Sequence, residues 1–332
     1  MILCVSLNPA LDKMLKINSI NIGKVNRCSL ESVHAGGKAI NVAFDLMLQG
    51  EDCMVCGFVG GRCGRIIEDE LSERELKHKF IHLSSETRTN MNYIDSFGNV
   101  TEILEGGHLV DAVSEEEFLH LYRTLLYKTD MVVLSGSLPI GLGSDFYGIL
   151  TDMAKREGIP VCLDSSGDAL AEGVAHAPFL IKPNLSEFEN LTAHKFDITS
   201  LEESFEAFFE SASFKNVMLE DLINIQNLGI EVICISFGKR GVLLFAKNEI
   251  IVCNAPDVEV VNTVGSGDCL LAAFIHSLMK KVSLLDAIVY ASAVSSAHVN
   301  TMNVGDIDPK LAARLTGEVK YGLYRIGEGF VR

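Results

Sequence analysis

The chain has 332 residues, 48% of them hydrophobic and 22% charged, which supplies a large core and excludes an intrinsically disordered chain. Lysine and arginine number 28 against 44 aspartates and glutamates, a formal net charge of −16, so the global field repels nucleic acid and anionic lipid and speaks against either as a partner. No apolar run approaches the ~20 residues of a bilayer span, no basic leader precedes Asn8-Pro9, and nine cysteines are scattered without a secreted spacing; together these predict a soluble, cytoplasmic protein with free thiols.

In chain order, short apolar runs predict strands at Ile2–Leu7, Met54–Val59, Met131–Ser135, Val161–Asp164, Phe179–Lys182 and Val232–Ser236. Amphipathic patterns between them predict helices at Lys38–Gln49, Ser114–Tyr127, Ser144–Arg156 and Leu201–Glu210. This alternation is the mark of an α/β fold with a mostly parallel central sheet and helices on both faces. Sites in such sheets lie at the carboxyl ends of strands. Two stretches break the rhythm: Met14–Val33 and Arg88–Leu104 alternate polar and apolar residues, and Asp95-Ser-Phe-Gly-Asn99 reads as a hairpin turn. They predict a small antiparallel layer inserted into one domain spanning 1–332, with lid segments near 12–34 and 88–106. Cys53-Met-Val-Cys56 has redox-motif spacing, yet its apolar neighbours predict a buried strand with cysteine as a small hydrophobe.

The strongest chemical signal is Asn262-Thr-Val-Gly-Ser-Gly-Asp268 opening an apolar helix. Backbone N–H groups at a helix N-terminus, approached closely because glycine has no side chain, can hold a phosphoryl group. Asp268 is then placed to accept a hydroxyl proton, and the helix end is expected to keep its carboxylate ionised. The plainer alternative is a helix capped by Asp268. Ala35-Gly-Gly-Lys-Ala-Ile-Asn41 opens a second helix with paired glycines, a cation and a two-sided hydrogen bonder, without P-loop spacing. In Lys182-Pro-Asn-Leu-Ser-Glu187, Asn184 and Glu187 could meet on one helical turn to organise hydrated Mg²⁺, or simply form a capping box. Thr87-Arg-Thr-Asn90 offers a guanidinium for bidentate phosphate binding. Ser135-Gly-Ser-Leu-Pro139, Asp164-Ser-Ser-Gly167 and Ser236-Phe-Gly-Lys-Arg-Gly241 end strands with small hydrogen-bonding residues. His34, His108 and His298 share no ligand spacing and read as polar surface or lid residues.

Seven such motifs in this order resemble the ribokinase-like (PfkB) carbohydrate kinase family, from Asn8-Pro9 and Asp12 to beyond Asp268. The resemblance is greatest to its sugar-phosphate branch of 1-phosphofructokinases and tagatose-6-phosphate kinases. It implies a three-layer ribokinase-like fold with a small β lid, and ATP- and Mg²⁺-dependent phosphorylation of a ketohexose phosphate. Asp268 is implied as the base and Gly265, Ser266 and Gly267 as the anion hole. Asp12, Gly36, Gly37, Lys38, Asn41, Arg88, Asn90 and Ser137 would receive the sugar phosphate, with Lys24 and Arg27 as further candidates for its phosphate. Lys182, Asn184, Ser236, Gly238, Gly241 and Thr263 would bind ATP, and Asn184 with Glu187 the metal. In some members the lid mediates a homodimer. Three departures stand out: Ala39 where glycine is common, Ser266 for alanine, and Gly106-Gly107-His108 at the lid edge. The alternatives are a kinase for an unphosphorylated sugar or nucleoside, which would not need both Lys38 and Arg88, and a non-catalytic sensor, which would not need Asp268, Asn184 and Glu187 together.

Overall fold

The computed structural model describes residues 1–301 and 307–331. Aliphatic and cysteine-rich runs form the centre of a mostly parallel sheet: β1 (Ile2–Ser6), β4 (Cys53–Gly60), β5 (Lys77–Leu83), β8 (Met131–Ser135), β9 (Val161–Asp164), β10 (Leu180–Ile181) and β11 (Val232–Ser236). Antiparallel strands β12 (Val242–Ala246), β13 (Glu249–Cys253), β14 (Tyr321–Arg325) and β15 (Gly329–Phe330) extend it past β11. Lys247 and Asn248, both at positive φ (52° and 65°), make the two-residue turn that joins β12 to β13, as the right-handed twist of a hairpin requires. The full order is β15-β14-β13-β12-β11-β10-β9-β8-β1-β4-β5.

Helices α1 (Lys38–Leu48), α2 (Gly61–Glu73), α9 (Ser266–Met279), α10 (Leu284–His298) and α11 (Pro309–Thr316) cover one face, and α3 (Ala112–Leu126), α4 (Phe146–Arg156), α5 (Gly167–Ala175), α6 (Leu185–Thr192), α7 (Phe205–Glu210) and α8 (Leu219–Gln226) the other. The central strands are buried on both sides, which is why they read as near-continuous apolar runs rather than as alternation. The stretch expected to be one helix, Leu201–Glu210, is divided. A 3₁₀ turn at Thr199–Glu202 ends, and the Ser204 side chain accepts the Ala207 N–H to start α7 afresh. Cys53 and Cys56 lie three apart on β4, so they face opposite cores and cannot pair. Burial pushes the Cys53 thiol up to about 12 and the Cys56 thiol higher still.

The segments expected to form a lid make a four-stranded sheet of order β3-β2-β6-β7, with β2 (Ala10–Lys16), β3 (Ser29–Gly36), β6 (Arg88–Ile94) and β7 (Val100–Leu104). It is mixed rather than wholly antiparallel: β2 and β6 run parallel because both leave the body in the same direction. The turn expected at Asp95–Asn99 is present, its Asp95 Oδ1 accepting the N–H groups of Phe97 and Asn99 at 2.8 and 2.9 Å.

Candidate active site

A cleft of about 560 Å³ opens where the lid meets the carboxyl ends of the parallel strands. Its floor is the bend before α9. Gly265 sits at φ +81°, a conformation open to glycine, and caps the helix, while Asp268 is the third helical residue and caps nothing. The bend is tied internally: Asn262 Oδ1 accepts the Val264 N–H at 3.0 Å, and Thr263 O accepts the Ser266 N–H at 3.3 Å. Of the three amides expected in an anion hole, that of Ser266 is therefore spent. Those of Gly265 and Gly267 have no hydrogen-bond partner among the described residues, and both glycines line the cleft.

Asp268 is buried, and Asn41 Nδ2 donates to its Oδ2 at 2.8 Å. Burial first, and then the Asp164 carboxylate, push the Asp268 carboxyl up to about 6, against the pull of Lys38 and the Asn41 hydrogen bond. At neutral pH the group is still mostly ionised, as the sequence reading expects, but it binds its proton more tightly than the helix end alone would give. The helix end favours the charge, but desolvation outweighs it because the carboxylate lies in the protein rather than at a solvated cap. A carboxylate titrating near 6 is a better proton acceptor at neutral pH than an ordinary one.

The lid side carries the residues expected to receive the sugar. Gly37, at φ +116°, caps α1, so Lys38 and Ala39 already lie in the helix and Ala39 is harmless there. Register pairs Asp12 with Asn90 across β2 and β6, and Asn90 Nδ2 donates to Asp12 Oδ1 at 2.8 Å. Burial pushes the Asp12 carboxyl up to about 6. Gly36 is packed so closely that a Cβ there would lie 2.1 Å from Asp12 Oδ2. Arg88 donates from Nε to Asn8 O (3.1 Å) and from Nη1 to Glu105 O (3.0 Å). Two of its five N–H groups are thus held by the protein, which fixes the guanidinium and leaves three for a ligand. Asn8 also donates to Ser137 Oγ at 3.0 Å.

Behind this floor lies an ion triad. Asp164, fully buried at the end of β9, pairs with Lys38 Nζ at 3.0 Å and Lys182 Nζ at 3.1 Å. Burial opposes its charge, yet the two ammonium groups hold the carboxyl below its usual value. Burial likewise opposes the charge on Lys38, but Asp164, Asp268 and Glu187 keep it protonated. Lys182 Nζ stands beside the bend, 3.4 Å from where a Gly267 Cβ would be. Asn184 and Glu187 form the reciprocal capping box of α6, with Glu187 Oε2 accepting the Asn184 N–H and Asn184 Oδ1 accepting the Glu187 N–H. Both still line the cleft, and Glu187 Oε1 is not used by the box.

A second cavity of about 350 Å³ shares Ser236, Thr263 and Gly267 with the first. It runs between the turn at Gly238–Arg240, α9 and α10, walled by Val258, Val260, Leu270 and Val299. Gly241, at φ +104°, has no room for a side chain, since a Cβ would meet Cys253 O at 1.9 Å.

Of the expected residues, Asp12, Gly37, Lys38, Asn41, Arg88, Asn90, Ser137, Lys182, Asn184, Glu187, Gly265 and Asp268 line the first cavity, and Gly238, Gly241 and Ser266 the second. Lys24 and Arg27 lie on an exposed loop and line neither. His108 and His298 are buried, not surface groups; each ring nitrogen Nε2 meets a backbone carbonyl, Leu7 O and Val264 O. Asn92 carries no sequence signal, and Glu102, part of the Thr101-Glu102 pair that matches the sugar-phosphate branch, has no site role assigned from the sequence, yet both line the cleft. They face each other across β6 and β7, and the step of two from Asn90 to Asn92 puts both asparagines on one face.

The fold and two chambers joined at the glycine bend, with a buried carboxylate in the larger one, define a kinase for a small hydroxylated acceptor. Residues 8–311 match the pfkB family carbohydrate kinases. Tagatose-6-phosphate kinase of Staphylococcus epidermidis is 34% identical over 318 residues, covering 92% of this chain and 97% of its own. Phosphofructokinase-2 of Escherichia coli, solved with potassium, superimposes with a TM-score of 0.83 at 21% identity, over 96% of this chain and 98% of its own. A possible 1-phosphofructokinase of Thermotoga maritima gives 0.80 at 22% identity over 100% of both chains. The chain belongs to the pfkB family of carbohydrate kinases, and its activity is phosphoryl transfer from ATP to a sugar hydroxyl. Among the described residues, no helix is long and apolar enough to cross a membrane.

Proposed function

We propose that the acceptor is a ketohexose phosphate, with tagatose 6-phosphate first and fructose 1-phosphate second, converted to the bisphosphate by Mg²⁺·ATP. The observation that carries this reading is the joining of the two cavities at Gly267, with Asp268 on the floor and two fixed cations, Lys38 and Arg88, on the sugar side. A phosphate can take charge-assisted bonds from the three uncommitted Arg88 N–H groups and from Lys38, which a neutral acceptor cannot match. The curated relative supports tagatose 6-phosphate as the first candidate.

The sugar hydroxyl attacks the γ-phosphorus in line; the new O–P bond forms as the bond to the ADP oxygen breaks, and Asp268 takes the hydroxyl proton. Asn41 fixes the carboxylate, and the Gly265 and Gly267 amides face the charge on the transferring group. Lys182 neutralises the phosphates beside the bend. Mg²⁺ keeps most of its waters and takes one or two carboxylates plus nucleotide phosphates. The residues here fit that demand, since Glu187 retains one free carboxylate oxygen and Asn184 lies beside it. The metal would supply charge neutralisation on the phosphates. The lid is the candidate surface for a homodimer.

A coupled ADP-release assay with tagatose 6-phosphate, fructose 1-phosphate, fructose and a nucleoside tests the reading. Turnover with a sugar phosphate at least about 100-fold more efficient than with the neutral acceptors is expected from a charge-assisted phosphate contact. Equal or better use of fructose or the nucleoside would overturn it.

A further inference from the structure

The helix α10 reaches the glycine bend from behind. Its last residue, His298, is 1% exposed, and Nε2 lies 3.0 Å from the Val264 carbonyl oxygen. A carbonyl only accepts, so Nε2 carries the proton. One turn earlier, Ser295 Oγ donates to the Ser266 carbonyl at 2.9 Å. A peptide unit is planar and trans, so its C=O and N–H point opposite ways. A bond that draws the Val264 carbonyl toward α10 therefore turns the Gly265 N–H away from α10, toward the cleft that Gly265 lines. The bond on the Ser266 carbonyl does the same for the Gly267 N–H. Gly265 precedes the regular ladder of α9, so the helix alone does not fix the direction of its amide.

The ring lies in a buried polar cluster. His298, Asp45 on α1 and Cys269 on α9 bring an imidazole nitrogen, a carboxylate oxygen and a thiol within 4.8 Å of one another, all buried. A carboxylate beside an imidazole favours its protonated nitrogens. The donor types would suit a metal, but Nε2 is engaged with Val264 O and the Cys269 thiol with Val294 O at 3.8 Å. The cluster reads as a brace that joins three helices behind the bend.

We propose that His298, assisted by Ser295, is a positioning residue that aims the Gly265 and Gly267 amides at the migrating phosphoryl group. This rests on the reading of the bend as an anion hole given above. Loss of the brace misdirects donors that matter most in the transition state, so it lowers kcat while leaving ground-state binding nearly intact.

The variants His298→Leu, His298→Gln and Ser295→Ala are compared with the unaltered protein, each checked by thermal melting. Absence of turnover in the unaltered protein with every sugar phosphate would sink the acceptor assignment and is read separately. With turnover established, His298→Leu is expected to lower kcat about 10- to 100-fold, as displaced oxyanion donors do, with KM for both substrates changing less than about 3-fold. His298→Gln, whose side-chain amide can donate, recovers part of the loss, and Ser295→Ala loses several-fold. In parallel, ADP·aluminium fluoride with the sugar phosphate binds more weakly in proportion to the loss of kcat, while ADP alone binds as in the unaltered protein. A folded His298→Leu with kcat within about 2-fold of the unaltered protein, or unchanged analogue affinity, overturns the proposal. Should His298→Leu not fold, Ser295→Ala decides: unchanged kcat and analogue binding overturn it, and a parallel loss of both supports it.

Discussion

Asn41 and Asp268, 227 positions apart, meet at 2.8 Å in the buried floor of the cleft. Each opens a helix behind a glycine, and the packing of α1 against α9 brings the two helix starts together. The carboxylate is thereby held in one orientation by a donor that cannot itself take a proton.

The first expected outcome concerns the cost of that arrangement. Asp268 titrates at about 6 in the folded protein, against about 3.9 in an unfolded chain. Between those values the folded state holds a proton that the unfolded state has lost, so stability falls as the pH rises through roughly 4 to 6, and the full cost is present above 6. Asp268→Asn removes the charge. It is expected to melt higher at pH 7, by an amount on the order of 2–3 kcal/mol, with turnover reduced at least about 100-fold. In the unaltered enzyme, kcat/KM should fall below about pH 6 as Asp268 and Asp12 are protonated. Near-normal turnover of Asp268→Asn, or a flat profile down to pH 5, would remove the base assignment.

Asp164 has the opposite sign. Two ammonium groups hold its carboxyl below the usual value, so its contribution to stability is present above about pH 4 and is lost as the pH falls through the depressed folded value. Asp164→Ala leaves the buried Lys182 ammonium without its partner, while Lys38, partly exposed, recovers water. A loss of about 3–5 kcal/mol is expected from stranding one buried charge, read as a lower urea midpoint at pH 7. An unchanged midpoint would mean that Lys182 finds another partner or loses its proton.

Much of the local chemistry was legible in the sequence because it is local. The glycine bend, the helix after Gly37, the Asp95 turn and the capping box at Asn184 all follow from side chains within a few residues of one another. What was not legible depends on chain that returns from far away. The raised pKa of Asp268 is not readable from its helix, because burial comes from tertiary packing. His298 reads as a polar residue until α10 is laid behind the bend. Asn92 becomes a site residue, and Glu102 its partner across the cleft wall, only once the register of β6 and β7 is known. The division at Ser204 is hidden in the sequence because an apolar pattern runs through it.

Arg88 tests the phosphate assignment. Its Nε and Nη1 bonds to Asn8 O and Glu105 O fix the plane of the guanidinium. Arg88→Ala is expected to raise KM for the sugar phosphate about 10- to 100-fold, the range of a charge-assisted contact, with KM for ATP changed far less. Arg88→Lys keeps the charge but cannot hold both carbonyls and the ligand together, so it should recover little. If KM for the sugar phosphate is unchanged in Arg88→Ala, the phosphate lies elsewhere in the cleft.

Gly36 separates packing from function. Its backbone conformation suits any residue, but an added Cβ would lie 2.1 Å from Asp12 Oδ2. The Asp12 side chain is short and can rotate away, so Gly36→Ala should leave the melting temperature close to that of the unaltered protein. The rotation breaks the 2.8 Å bond from Asn90 and withdraws the carboxylate from the sugar side of the cleft. A hydrogen bond between a carboxylate and a substrate hydroxyl contributes about 1.5–3 kcal/mol. KM for the sugar phosphate should therefore rise roughly 10- to 100-fold, with the second cavity unaffected because Gly36 does not border it. A Gly36→Ala protein that melts normally and binds sugar phosphate normally would show that Asp12 does not touch the acceptor.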